Sequence, residues 1–148
     1  MSAPAFFPRR VESFNTMTLL WVTGFFLSLS VVRSATIFKA DSPNNLNLAG
    51  SWSNNVAPGA SDIATWNHLV SVNTNSVPGT NLNWSGIKIL DPAGPISFAA
   101  GFNLTNGSSG IDLSHATTSL ILSNNLVSDA SQTWKITHVR RLPSRFFA

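Results

Sequence analysis

Four side chains are the candidates for acid–base catalysis: Asp62, His68, Asp112 and His115. Asp62 and His68 stand six positions apart, and Asp112 and His115 stand three apart. Neither spacing is a metal-ligating arrangement such as H-E-x-x-H. A hydrolase or lyase on a strand-rich scaffold needs two carboxylates, or one strong base, held across a cleft. No glutamate follows Glu12, and no such pair can be assembled from spacing. Asp62, after Ser61, reads as a turn-capping aspartate, and Asp112, close behind Gly110, reads the same way. G-S-S-G at 107–110 does not satisfy the nucleophile-elbow pattern G-x-S-x-G. The sequence therefore assigns no catalytic residue, no cofactor-binding residue and no metal ligand, and it does not read as an enzyme.

A second chemistry is aromatic. The stretch W-S-N-N-V-A-P-G-A-S-D-I-A-T-W-N, residues 52–67, sets Trp52 and Trp66 around small turn-forming residues. Exposed indoles stack on sugar rings, and asparagines orient hydroxyls, so Trp52 and Trp66 are the candidate carbohydrate contacts. The competing reading is that these rings seal an apolar end of the fold, each with one N–H to satisfy. Trp84 and Trp134 lie inside alternating segments and read as core or coil-surface residues.

Short strands must position these side chains. Short candidate strands, most of them of six residues or fewer, recur along the body: 62–67, 68–73, 82–90, 96–98, 102–104, 111–114, 119–123, 124–128 and 131–139. Asn44–Gly50 reads as a short strand or a strand-like turn. In L-N-W-S-G-I-K-I-L, Leu82 and Trp84 share one side, and the phase changes at Gly86 before Ile87 and Ile89. The connectors carry P-G, N-G and N-N, residues that tolerate the backbone of sharp corners. No window has helical periodicity. The pattern predicts an all-β chain: a short right-handed parallel β-helix, or solenoid, with a turn-rich N-terminal cap. A small β-sandwich is the runner-up. No strict repeat period is evident.

Composition narrows the function classes. Residues 17–32 are uncharged and mostly apolar, with Arg9 and Arg10 before them and Ser34 and Ala35 after them. That order matches a signal peptide over 1–34. A retained anchor is the alternative, although the run falls short of the roughly 20 residues of a spanning helix. The net charge of +3 is carried by the two ends. Between 36 and 134 only Lys39 and Lys88 stand against Asp41, Asp62, Asp91, Asp112 and Asp129, which does not support nucleic-acid binding. The membrane enters only through the leader. There is no cysteine, so no disulfide supports the fold. Sequons at Asn83, Asn103 and Asn106 are what an Asn- and Ser-rich chain produces by chance.

Taken in order, Trp52–Trp66, G-I-K-I-L at 86–90, G-S-S-G-I-D-L-S at 107–114, L-x-L-S-N-N-L-V at 120–127 and S-Q-T-W at 131–134 resemble the autotransporter-associated β-strand repeat proteins. The resemblance covers roughly residues 42–136. It implies a non-catalytic structural or passenger scaffold fragment, secreted or at the bacterial cell surface. The implied partners are surface polysaccharide or adjacent repeats of a longer protein. A small secreted polysaccharide-binding module using Trp52 and Trp66 is the alternative function. The β-helix-like part is read as 35–137, an incomplete domain, and 138–148 as an atypical basic tail. A frameshift, an early stop or a gene fragment would produce that shift in composition. A basic tail that meets a partner or a membrane surface is the other reading.

Overall fold

The computed structural model describes residues 33–136, so all but the last two residues of the expected signal peptide (1–34) and the whole of the expected basic tail (138–148) lie outside the described residues. Eight strands follow one another: β1 (Thr36–Phe38), β2 (Ile63–Trp66), β3 (Asn75–Ser76), β4 (Leu82–Ile89), β5 (Ile96–Phe98), β6 (Asn103–Asp112), β7 (Leu120–Leu122) and β8 (Asn125–Ser128). The described residues contain no α-helix, only a 3-10 turn at Ala49–Ser51. One sheet has the order β1-β2-β4-β6-β8 and the other β3-β5-β7. Every ladder between named strands is parallel. The chain is therefore a β-solenoid of about four turns. A sandwich closed by antiparallel hairpins is excluded, because every ladder between named strands is parallel and paired strands, β1 and β2 included, are joined by a whole coil and not by a hairpin turn.

Each coil has a fixed length because the ladders are in register. Leu82 pairs with Leu104 and Leu104 with Leu126, a step of 22 residues. The step becomes 24 where Gly86 meets Gly110 and Ile87 meets Ile111. The difference lies at a corner. β4 and β6 each bend, so that the first arm of β4 (82–84) pairs with that of β6 (103–106), which pairs in turn with β8, while the second arms (86–89, 110–112) continue the β1–β2 ladder. Ser85 alone spans the corner in β4, whereas Gly107, Ser108 and Ser109 span it in β6. The phase change expected at Gly86 is this corner. Leu82 and Trp84 point inward before it, and Ile87 and Ile89 after it.

Inward residues stack from coil to coil: Leu82 on Leu104, Ala64 on Ile87 and Ile111, Ile96 on Leu120. Each contact removes apolar surface from water at about 25 cal/mol per Å². Polar residues form a parallel stack at the start of the first arm. Asn103 N donates to Asn81 Oδ1 at 2.9 Å, and Asn125 Nδ2 donates to Asn103 Oδ1 at 3.2 Å.

The N-terminal end is closed by residues 39–55, which include the antiparallel bridge between Lys39 and Trp52. Asn44–Gly50 forms turns here and not a strand: Leu46 N bonds Val77 O, and Leu48 N and Ser51 N bond carbonyls within the segment. Lys39 is buried, and its Nζ donates to Ala40 O and Ser42 O, each at 2.8 Å. Burial pushes the Lys39 ammonium below its ordinary pKa, and nearby Asp41 opposes that shift. The expected strand at 68–73 is also a turn. Asp41 accepts from Ser71 Oγ, Val72 N and Asn73 N, and Asp91 accepts from His68 N. Side-chain oxygens take these N–H groups, so alternation alone misread the segment.

The Asp41 clamp makes stability depend on acid. The bond from Ser71, then that from Asn73 N, holds its carboxyl well below the ordinary value of 3.8 despite some desolvation. A carboxylate depressed on folding contributes stability that is complete above the unfolded value and is lost as pH falls through the folded one. The urea midpoint is therefore expected to drop as pH falls below about 4. Asp41→Asn should lower the midpoint at pH 6 and flatten that acid slope. An unchanged slope would show that the clamp contributes nothing.

Candidate functional site

Trp52, Trp66 and Trp84 converge with Phe98 in the core. Trp52 and Trp66 lie 5.6 Å apart edge to face, Trp52 and Trp84 5.7 Å apart, and Trp66 and Phe98 5.2 Å apart. Trp52 Nε1 donates to Leu46 O at 2.9 Å, and Trp84 Nε1 to Pro58 O at 3.1 Å. Trp52 retains 1% of its exposure and Trp66 none. Neither ring offers a face to a sugar, so the reading of Trp52 and Trp66 as carbohydrate contacts is corrected to that of a plug beneath the cap. The physical reason is that Trp66 and Trp84 fall on the inward side of their strands, and Trp52, bridged to Lys39, packs edge to face on both. Trp134, 51% exposed, is the surface tryptophan among the described residues.

The acid–base candidates are dispersed. Asp62 Oδ2 accepts from Gly59 N at 2.9 Å and Oδ1 from Ala35 N at 3.2 Å, which is the turn capping expected of it. His68 Nδ1 stands 3.7 Å from Asp91, with both side chains largely exposed. Asp112 Oδ1 accepts from Ser114 N at 3.0 Å and Ser114 Oγ at 2.6 Å, and Oδ2 lies 3.8 Å from Lys88 Nζ. Desolvation raises the Asp112 carboxyl, but the Ser114 bonds, Lys88 and Lys135 outweigh it and leave its pKa below the ordinary value. His115 is exposed. Among the described residues, no three His, Asp or Glu side chains converge on one point. Of the sequon asparagines, Asn106 is buried, while Asn83 and Asn103 are exposed.

Two further features bear on function. The first is the asymmetry of the ends. The cap buries Trp52, Lys39 and Leu46. At the other end Leu120, Leu122 and Leu126 are only partly buried, and Ile121, Val127, Trp134 and Ile136 are exposed. An apolar groove of about 620 Å³ opens here, lined by Pro95, Leu113, Ala116, Leu120 and Ile136 among others. β7 and β8 have no partner strand on their outer side among the described residues. The second is a polar groove of about 450 Å³ outside the second arm, where Lys88, Asp112 and Lys135 come together with Ser108, Ser109 and Thr133.

The chain matches no family model, no curated protein and no solved structure. The fold and its ends define the class: a parallel β-solenoid capped at its N-terminal side.

Proposed function

We propose that this chain serves as a non-catalytic structural or passenger scaffold of a secreted or cell-surface bacterial repeat protein, of the autotransporter-associated kind. Its work is to start a coil stack and present an end on which adjacent repeats continue. The observation that carries the reading is the difference between the ends. A capped first coil resists strand addition, whereas unpaired edge strands beside apolar side chains form a template for it. Motif order along 42–136 supports the same reading, and so does the leader-like 1–34, which would deliver the scaffold outside the cell.

An open coil end should show itself as self-association. Sedimentation of the full chain is expected to give a mass that rises with concentration. Ile121→Lys combined with Val127→Lys places charge on that edge and should leave a monomer with little change in melting temperature, because both side chains are already exposed. A wild-type chain that stays monomeric throughout rejects the open-end reading. Secreted protein whose N-terminal sequence begins near Ala35 would support the export half, and intact Met1 in the cytosol would oppose it.

A further inference from the structure

The described part of the chain has few cations: Arg33, Lys39, Lys88 and Lys135. Lys39 is buried in the cap. Two of the remaining three line the same polar groove, although they are 47 positions apart in sequence. The register explains how. Lys88 pairs with Asp112 in the β4–β6 ladder, and Asp112 pairs with Lys135 in the following coil. Three successive coils thus place Lys, Asp and Lys in one row on the outer side of the second arm. Strands in a sheet are about 4.8 Å apart, so the two lysine positions are separated by ~10 Å.

The central aspartate is already engaged. One oxygen accepts from Ser114, and the other faces Lys88 at 3.8 Å. The row therefore carries a net positive charge, with the Lys135 side toward the open end. Hydroxyls flank it at the corner of β6: Ser108, Ser109 and, from the last described segment, Thr133. Ser85 and Ser109 bond each other at 2.6 Å, which fixes the corner. The corner is also narrow in backbone terms, since a Cβ on Gly86 would lie 2.7 Å from Gly110 O.

We propose that this groove binds an acidic polysaccharide, with Lys88 and Lys135 each holding one acid group of the chain and the hydroxyls of Ser108, Ser109 and Thr133 meeting the sugars between them. Charge-assisted bonds from an ammonium to a carboxylate or sulfate are the strong contacts available here. The spacing of about one coil, ~4.8 Å, is close to the length of one pyranose in an extended chain, so lysines two coils apart suit acid groups on alternate sugars. A peptide is disfavoured as occupant. Extended peptides bind at free sheet edges through their main chain, whereas Lys88 and Asp112 sit on strands flanked on both sides, and only the Lys135 segment has a free outer side among the described residues. The lining offers two ammonium groups and several hydroxyls beside the engaged Asp112, with Ile63 and Ile87 as its apolar part. The site is independent of the tryptophans and of the coil-end reading, because it lies on the side of the stack.

Affinity electrophoresis of the full chain tests this, with polygalacturonate, dextran sulfate or neutral dextran in the gel. An acidic polymer should retard the protein, neutral dextran should not, and added salt should weaken the retardation. Preference for polygalacturonate or for dextran sulfate separates carboxylate from sulfate as the acid group. Lys88→Gln with Lys135→Gln should weaken binding roughly tenfold or more, the loss of two charged hydrogen-bond donors. Asp112→Asn should tighten it by removing the one negative charge in the row. Arg140→Gln with Arg141→Gln and Arg145→Gln should leave binding largely unchanged, and melting curves check that each variant is folded. Loss of retardation in the tail variant but not in the lysine pair would overturn the proposal. Equal retardation by polyglutamate would also overturn it, since charge alone would then suffice.

Discussion

Trp66→Ala is expected to remove a large share of the stability of the fold. Trp66 is fully buried and sits among Trp52, Trp84 and Phe98, with ring centroids 5.6, 6.1 and 5.2 Å away. Truncating a buried aromatic to alanine costs about 3–5 kcal/mol, because the cavity left behind collapses only partly. A domain of this size holds only about 5–15 kcal/mol in total. The core here is thin, since each coil buries side chains only against its neighbours and the cap. The indole N–H of Trp66 has no partner among the described residues, so Trp66→Phe should be much milder than Trp66→Ala. Trp84→Phe loses in addition the bond to Pro58 O and should cost more than Trp66→Phe. Trp134→Ala is the control: half-exposed, it should shift stability by less than about 0.5 kcal/mol. Urea unfolding followed by far-UV circular dichroism ranks the four variants. If Trp66→Ala matched Trp134→Ala, the aromatic plug would not be what holds the first coils together.

The same plug shows how much the sequence disclosed. Composition and short alternating runs pointed to a solenoid, and the corner at Gly86 was legible because the inward side changes phase within one strand. The repeat itself was present but masked. Asn-Leu recurs at 81–82, 103–104 and 125–126, and Gly-Ile at 86–87 and 110–111. The first repeat steps by 22 residues and the second by 24, because Gly107–Ser109 adds two residues to one corner. A search for one fixed period fails on such a chain, while a ladder needs only local register. Residues 68–73 were misread for a different reason. Their alternation is real, but the oxygens that hold their N–H groups come from Asp41 and Asp91, more than twenty positions away. The groove was invisible for the same cause: Lys88 and Lys135 meet only through Asp112, a partner assigned by coil length. The burial of Trp52 and Trp66 depends on contacts between rings of different coils, which no local pattern specifies.

Gly110→Ala is expected to release the last described segment from the stack. Gly110 has φ of +66°, a left-handed conformation that costs a residue with a Cβ about 1–3 kcal/mol. It also stands against backbone. A Cβ there would lie 2.3 Å from Thr133 O and 3.0 Å from Thr133 C, and backbone cannot rotate out of the way as a side-chain tip can. Thr133 belongs to the segment that closes onto β6, where Lys135 N donates to Ile111 O at 2.8 Å and Leu113 N to Lys135 O at 2.7 Å. The substitution must therefore push residues 131–136 outward and break those two bonds. Overpacking of this kind adds about 1–3 kcal/mol to the strain. Gly101→Ala separates the two costs, since Gly101 also has a positive φ, +115°, but nothing within 4 Å of its Cβ position. Gly110→Ala should therefore be the more damaging of the pair. Hydrogen exchange gives the local readout: the amides of Leu113 and Lys135 should lose protection in Gly110→Ala and keep it in Gly101→Ala. Displacing this segment also moves Lys135 away from Asp112, so binding of acidic polymer in the groove should fall with it, although no groove side chain has changed. Intact protection of both amides in Gly110→Ala would mean that Thr133 does not close over Gly110, and the groove would then lose the wall that brings Lys135 to Lys88.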